Sequence, residues 1–340
     1  MQRAAALVCL LSLGACATAP TGTPSGTAYS PRAVRAPAPA EMLVAASTPP
    51  SAGAAEAARR LYTVADTVMI RGAALCEGRI KPSIGLRAWN REVTPRGRQA
   101  APTARDPAVT VFAIANDGPA ARAGLAPRDQ IVAINGARMP ETRDAMAAYA
   151  EALDSALESG GPIAFAYRRE GRDAVAQIIP APACDYRVVF ANSPVINAAT
   201  DGHSLMVMRG LVNLLARDEE LALVVGHELS HNVLGHFARG RAMGLRSPFG
   251  GPRAAGLASL RDFEREADYV GVYFVALAGY DYANAIESSR RMAAIGPLDY
   301  RGSATHPSQA ERYQVLAAAV REIRAKLAQG TLLRPNLATG

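Results

Sequence analysis

Ten residues, HELSHNVLGH from His227 to His236, hold three of the five histidines of this 340-residue chain. On an α-helix each residue turns by about 100°, so His227 and His231 lie about 40° apart, one turn up the same face. Two imidazoles so placed reach one small cation. Glu228 sits where an HExxH pattern keeps the general base for a metal-activated water. The chemistry this predicts is metal-assisted hydrolysis; the alternative is two structural histidines and a surface glutamate. His236, five positions beyond His231, is turned by about 140° on a continuous helix and is expected to point elsewhere.

The element carrying the motif reads as a helix. Asp218, Glu219 and Glu220 suit its N-terminus, and Leu221, Val224, Val225, Leu229 and Val233 form a broad apolar stripe. Arg239 and Gly240 suit its C-terminus. Gly226 costs helix propensity and would let a neighbouring segment come close. A catalytic zinc usually has three protein ligands and one open position. Glu264 and Asp268, again four apart, share a face of a second predicted helix over about 259–278. Glu264 is the candidate third ligand. Asp268 is the candidate acceptor for the outer nitrogen of a ligating histidine; the alternative is a solvated acidic helix face, to which Glu266 would belong. The pattern HExxHxxGxxH is excluded, because Leu234 and Phe237 occupy its Gly and third His positions.

With HELSH and EREAD in place, the segment 184–320 resembles the HtpX- and BepA-like zinc metalloproteases, relatives of the CAAX prenyl proteases. SPVINAATDGHSLMVMRGL is similar to the family's segment before the active helix, and THPSQAER to its later THP motif. The resemblance implies one zinc per chain on His227, His231 and Glu264, with Glu228 as base and Asp268 behind the ligands. It implies Arg312 near the transition-state oxyanion and His306 as a switch residue able to fill the open zinc position. One departure is length: 33 positions separate His231 from Glu264, where relatives often hold a longer segment. The run MGLRSPFGGPRAAG within that segment reads as a mobile loop bordering the cleft.

The N-terminus MQRAAALVCLLSLGAC reads as a signal peptide over 1–15, with an apolar run too short to span a bilayer. Leu-Gly-Ala-Cys16 resembles the bacterial lipobox, which implies lipidation of Cys16. Ala17 after it resembles outer-membrane sorting. Residues 16–53, rich in Ala, Pro, Thr, Ser and Gly, read as the lipidated cysteine and a disordered tether. Residues 54–78 read as an N-terminal helix packing on the peptidase. A net charge of +7, spread as single arginines with little aromatic interleaving, excludes nucleic-acid binding as a main role. The expected place is the bacterial cell envelope, lipid-anchored at the outer membrane and facing the periplasm.

Between these parts, VTVFAIANDGPAARAGLAPRDQIVAINGARM has a different pattern. A strand over 109–114, a short helix at 120–123, a strand over 131–134 and the turn pair Asn135-Gly136 follow in order. A helix over about 142–158 and a strand over 163–168 complete the set. The segment resembles bacterial PDZ domains, with Arg128 where the usual pattern has Gly. This implies a PDZ-like domain over 79–182 that adds a peptide to a sheet edge, with Ile84, Gly85 and Leu86 near the peptide terminus. Cys76 and Cys184 flank it. A domain inserted into another enters and leaves at neighbouring points, so in an oxidising compartment these two are expected to pair; two free thiols are the alternative.

The fold class expected is α+β: a mainly helical gluzincin-type metallopeptidase domain with a small sheet (183–325), a PDZ-like β-rich domain, and a tail over 326–340. Strand 204–208 is the expected holder of extended substrate. The expected function is a zinc endopeptidase acting on unfolded or misassembled envelope proteins, with a peptide ligand for the PDZ module. The alternative is a non-proteolytic envelope chaperone or adaptor with a closed zinc site.

Overall fold

The computed structural model describes residues 52–90, 108–142, 144–244, 254–295 and 307–337. Cys16 and His306 lie outside them, as do residues 245–253 of the glycine-rich run. The architecture is mixed α+β, a helix-rich region beside a separate β-sheet region, each with its own apolar cluster.

Helix α1 (Ala52–Arg71) opens the described chain. Leu61, Val64, Ala65 and Val68 form its fully buried stripe at helical spacing. It ends at Gly72, where a Cβ would lie 2.4 Å from the Phe274 ring. The chain then enters the β-sheet region along β1 (Ile80–Ser83) and returns along β8 (Ala181–Cys184). These two strands pair antiparallel, Ile80 opposite Cys184. Cys76 and Cys184 are disulfide-bonded, their Cα atoms 5.4 Å apart, at the base of this ribbon.

The β-sheet region runs through β2 (Leu86–Asn90), β3 (Val109–Ile114), α2 (Pro119–Arg122), β4 (Gln130–Ile134), β5 (Ala137–Arg138), α3 (Ala145–Ser159), β6 (Ile163–Arg169) and β7 (Arg172–Ile178). Its antiparallel order is β2-β3-β4-β6-β7, with β5 beside β4. Strand β3 alternates buried and half-buried residues, as a half-covered strand must. Asn135 and Gly136 both have positive φ, 47° and 85°, as a type I′ hairpin turn requires. Arg128 adopts φ 78°, the conformation for which the usual pattern keeps Gly.

The helical region begins with a three-stranded sheet: β9 (Arg187–Ala191), β10 (Ala198–Thr200) and β11 (Ser204–Met208), in the order β10-β11-β9. Strand β11 is therefore central, bonded to β10 on one side and β9 on the other. This corrects the expectation that 204–208 holds substrate, since both its edges are used; among the described residues the outer strands of this sheet are β9 and β10. Helices α4 (Arg209–Leu214), α5 (Asp218–Val233), α6 (His236–Ala242), α7 (Ala254–Leu277), α8 (Ala285–Ile295) and α9 (Gln309–Ala328) follow. Helix α7 begins earlier than its spacing predicts, so Ala254 to Gly256 of the expected loop are helical; the alanines there are strong helix formers. Helix α9 continues to Ala328.

Helix α5 is the hub. Every residue from Glu220 to Asn232 is buried, as in a helix covered on all sides. Its start is fixed by Glu220, which accepts from the Arg217 backbone N–H and from Arg291. It crosses α7 at two glycines: a Cβ on Gly226 would meet the Gly271 carbonyl at 2.8 Å, and one on Gly271 the His227 nitrogen at 3.1 Å. Gly226 thus does admit a close neighbour, and the neighbour is the helix that carries EREAD.

Candidate metal centre

Helices α5 and α7 bring His227, His231 and Glu264 together. The Nε2 atoms of the two histidines are 3.2 Å apart. His227 Nε2 lies 3.5 Å from Glu264 Oε2, and His231 Nε2 lies 3.5 Å from Glu264 Oε1. A tetrahedral zinc with bonds of roughly 2.0–2.2 Å spaces its donors about 3.3 Å apart, so this donor set fits zinc in kind and in spacing. All three side chains are buried.

The outer nitrogens are held as well. His227 Nδ1 lies 3.0 Å from Asp268 Oδ1, one turn beyond Glu264 on α7. Arg312 Nη2 donates to the same oxygen at 2.6 Å. Arg312 is placed by the start of α9, where Ser308 and Glu311 exchange hydrogen bonds as a capping box. Asp268 is held below the usual carboxylate range: burial would raise it, but Arg312 and His227 outweigh that. Burial would likewise lower the His227 imidazole, yet Asp268 and Glu264 hold it up at about 10.

Glu228 is fully buried, and neither carboxylate oxygen has a hydrogen-bond partner among the described residues. Burial pushes it up to about 8, Glu264 adds to that, and His227 and Arg312 partly offset it. An unpartnered buried carboxylate is costly and is retained where a cation or reactant beside it uses the charge. A small recess adjoins His227, Asp268 and Arg312. Ile196, Leu211, Leu214, Leu223, Val224 and Leu316 line it, which makes it mostly apolar.

Two residues lie where spacing did not put them. The helix breaks at Gly235, in the left-handed conformation with φ 64°, so a continuous 100° rotation does not apply to His236. It turns back: His236 Nδ1 is 2.8 Å from His231 Nδ1, and its Nε2 is 2.9 Å from Glu266 Oε2. Glu266, which the alternative reading left on a solvated face, also accepts two hydrogen bonds from Arg239. His236 is fully buried and stacks on Phe263 at 4.5 Å. Gly235 just before a third histidine is the signal that could have found this contact.

In the loop Ser83–Leu86, Ile84 and Leu86 are buried. The Gly85 N–H donates to Ser83 Oγ, and Gly85 approaches Ile70 of α1. Strand β2 is an edge of its sheet, and Arg87 on it forms a bidentate pair with Asp66 of α1 at 2.7 and 2.8 Å.

Residues 164–250 match Peptidase family M48, and residues 110–159 match the PDZ domain. The first match takes in His227, Glu228 and His231 and ends before Glu264. The mitochondrial metalloendopeptidase OMA1 of Arabidopsis thaliana is 31% identical over 163 residues, 39% of this chain and 31% of that protein. The chain thus spans about a third of the length of this curated relative. The crystal structure of the HtrA3 PDZ domain bound to a phage-derived ligand (FGRWV) is 21% identical, covers 31% of this chain and 88% of that one, and gives a TM-score of 0.23. Two separate segments of one chain thus match a family M48 peptidase and a PDZ domain. Among the described residues no helix is long and apolar enough to cross a membrane.

Proposed function

We propose that this chain is a zinc-dependent endopeptidase of the bacterial cell envelope, anchored through lipidated Cys16 and cleaving unfolded or misassembled envelope proteins. The observation that carries the reading is the His227–His231–Glu264 donor set beside an unpartnered, buried Glu228. His227 and His231 would hold zinc through Nε2 and Glu264 through a carboxylate oxygen. When bound, zinc polarises the scissile carbonyl and lowers the pKa of water to about 7.

The residues of the chain do the rest. Glu228 accepts the proton of the attacking water and returns it to the leaving amine. Asp268 accepts from His227 Nδ1–H and fixes the tautomer that leaves Nε2 free. Arg312 holds Asp268, and its guanidinium faces the recess, where it supports a developing oxyanion. The recess takes an apolar substrate side chain, and the outer strand β10, which packs against α5, offers a pairing edge for extended substrate. The PDZ-type region recruits a peptide segment at β2.

Glu228→Gln decides between a protease and a holdase. It should abolish cleavage of unfolded casein while retaining about one zinc per chain, because the base is not a ligand. Undiminished cleavage by the zinc-loaded variant would overturn the reading.

A further inference from the structure

We propose that His236 is a positioning residue for the metal ligand His231, and that Glu266 and Arg239 complete the support. The inference rests on the zinc reading above and extends it to three residues outside the ligand set.

The protons allow one arrangement. A histidine that ligates through Nε2 as a neutral imidazole must carry its proton on Nδ1. His231 Nε2 faces His227 Nε2 and Glu264, so it is the ligating atom. Its Nδ1–H then donates to His236 Nδ1, 2.8 Å away. That nitrogen can accept only if the His236 proton is on Nε2, where it donates to Glu266 Oε2 at 2.9 Å. Arg239 holds Glu266 with two hydrogen bonds. The other ligand has the same arrangement with one member fewer: His227 donates to Asp268, and Arg312 holds Asp268. Each zinc histidine is thus backed by a carboxylate and an arginine, directly for His227 and through a second imidazole for His231.

Packing fixes the intermediary. The ring of His236 lies flat on Phe263, 10° from parallel, and the Arg239 guanidinium covers the same phenyl ring 4.7 Å from its centre. The break at Gly235 supplies the turn that brings the ring back.

The test measures zinc dissociation constants by chelator competition. His236→Phe keeps an aromatic ring on Phe263 and removes both nitrogens. It should weaken zinc binding about 10–100-fold, the usual range for a residue behind a ligating histidine. His236→Asn returns an acceptor oxygen near Nδ1 and should recover part of the loss. Glu266→Gln, at a half-exposed position that folding tolerates, should weaken zinc binding less than His236→Phe. If His236→Phe does not fold, Glu266→Gln alone carries the test. Wild-type zinc affinity in the folded His236→Phe variant, or in Glu266→Gln where that is the only folded variant, overturns the proposal, because it reduces the contact to packing. His231→Ala is the reference: if it keeps wild-type zinc affinity, the zinc reading fails, which is a different result from failure of the support.

Discussion

Helix α5 places its chemistry on thirteen consecutive buried positions, whereas strand β2 presents a backbone edge whose side chains are committed elsewhere. In the helical region the candidate ligands are buried side chains, and the two histidines are each held by a further partner, whereas Glu228 between them is left without one among the described residues. In the β-sheet region the element expected to bind is a row of peptide groups, and Arg87 on β2 serves to dock the sheet on α1. The difference teaches where single substitutions act. A buried side-chain centre fails when one atom is removed. A backbone edge keeps its hydrogen-bonding groups whatever the side chain, so the sensitive points of that region are its attachments.

The predictions press on this contrast. The largest effect is expected at the centre: His227→Ala, His231→Ala or Glu264→Ala each should lose stoichiometric zinc and all casein cleavage, read by elemental analysis and a fluorescent casein assay. Retention of both in any of the three would remove that residue from the ligand set.

The next largest belongs to the attachment. Cys76 and Cys184 close a loop over a sequence separation of 108 residues, and the chain-entropy model assigns such a bridge roughly 4–5 kcal/mol. The Cys76→Ser/Cys184→Ser pair should lower the unfolding free energy by up to that amount in urea titration while zinc content stays unchanged. Loss of zinc there would mean that the two regions are not separable.

Smaller still is the polar clasp. Arg87→Ala leaves Asp66 nearly buried without its bidentate partner. A partly buried pair falls between surface and interior values, so the cost should be roughly 2 kcal/mol. Hydrogen exchange should rise in β2 and α1 and not in α5. Equal acceleration in α5 would contradict the division.

The smallest is Gly235→Ala. Open space surrounds that position, so only the left-handed backbone opposes a Cβ, at about 1–2 kcal/mol. Thermal unfolding should register this, and a stabilised variant would show that the turn before His236 is not fixed.

What was legible follows the same line. The spacing of His227 to His231 and of Glu264 to Asp268 is a property of one helix each, so 3.6 residues per turn suffices to group them. That the two faces meet depends on Gly226 against Gly271, a tertiary contact of which sequence shows only one suspicious glycine. His236 was misplaced because one left-handed residue resets the rotation. Strand β11 was misread for a related reason: alternation marks a strand but not whether it is central or at an edge. In the β-sheet region the turn pair Asn135-Gly136 and the order of strand, helix and strand were readable from local chemistry. The covering of the Gly85 loop by Ile70 of α1 was not, because nothing local encodes which surface packs there.

The central claim is that one zinc sits between α5 and α7 on two histidines and a glutamate. Crystals of zinc-loaded protein, with anomalous data collected on both sides of the zinc absorption edge, test it most directly. The account predicts one strong peak per chain, within about 2.0–2.2 Å of His227 Nε2, His231 Nε2 and a Glu264 oxygen. A peak on other residues, or no peak at this site in protein shown to contain zinc, would contradict it.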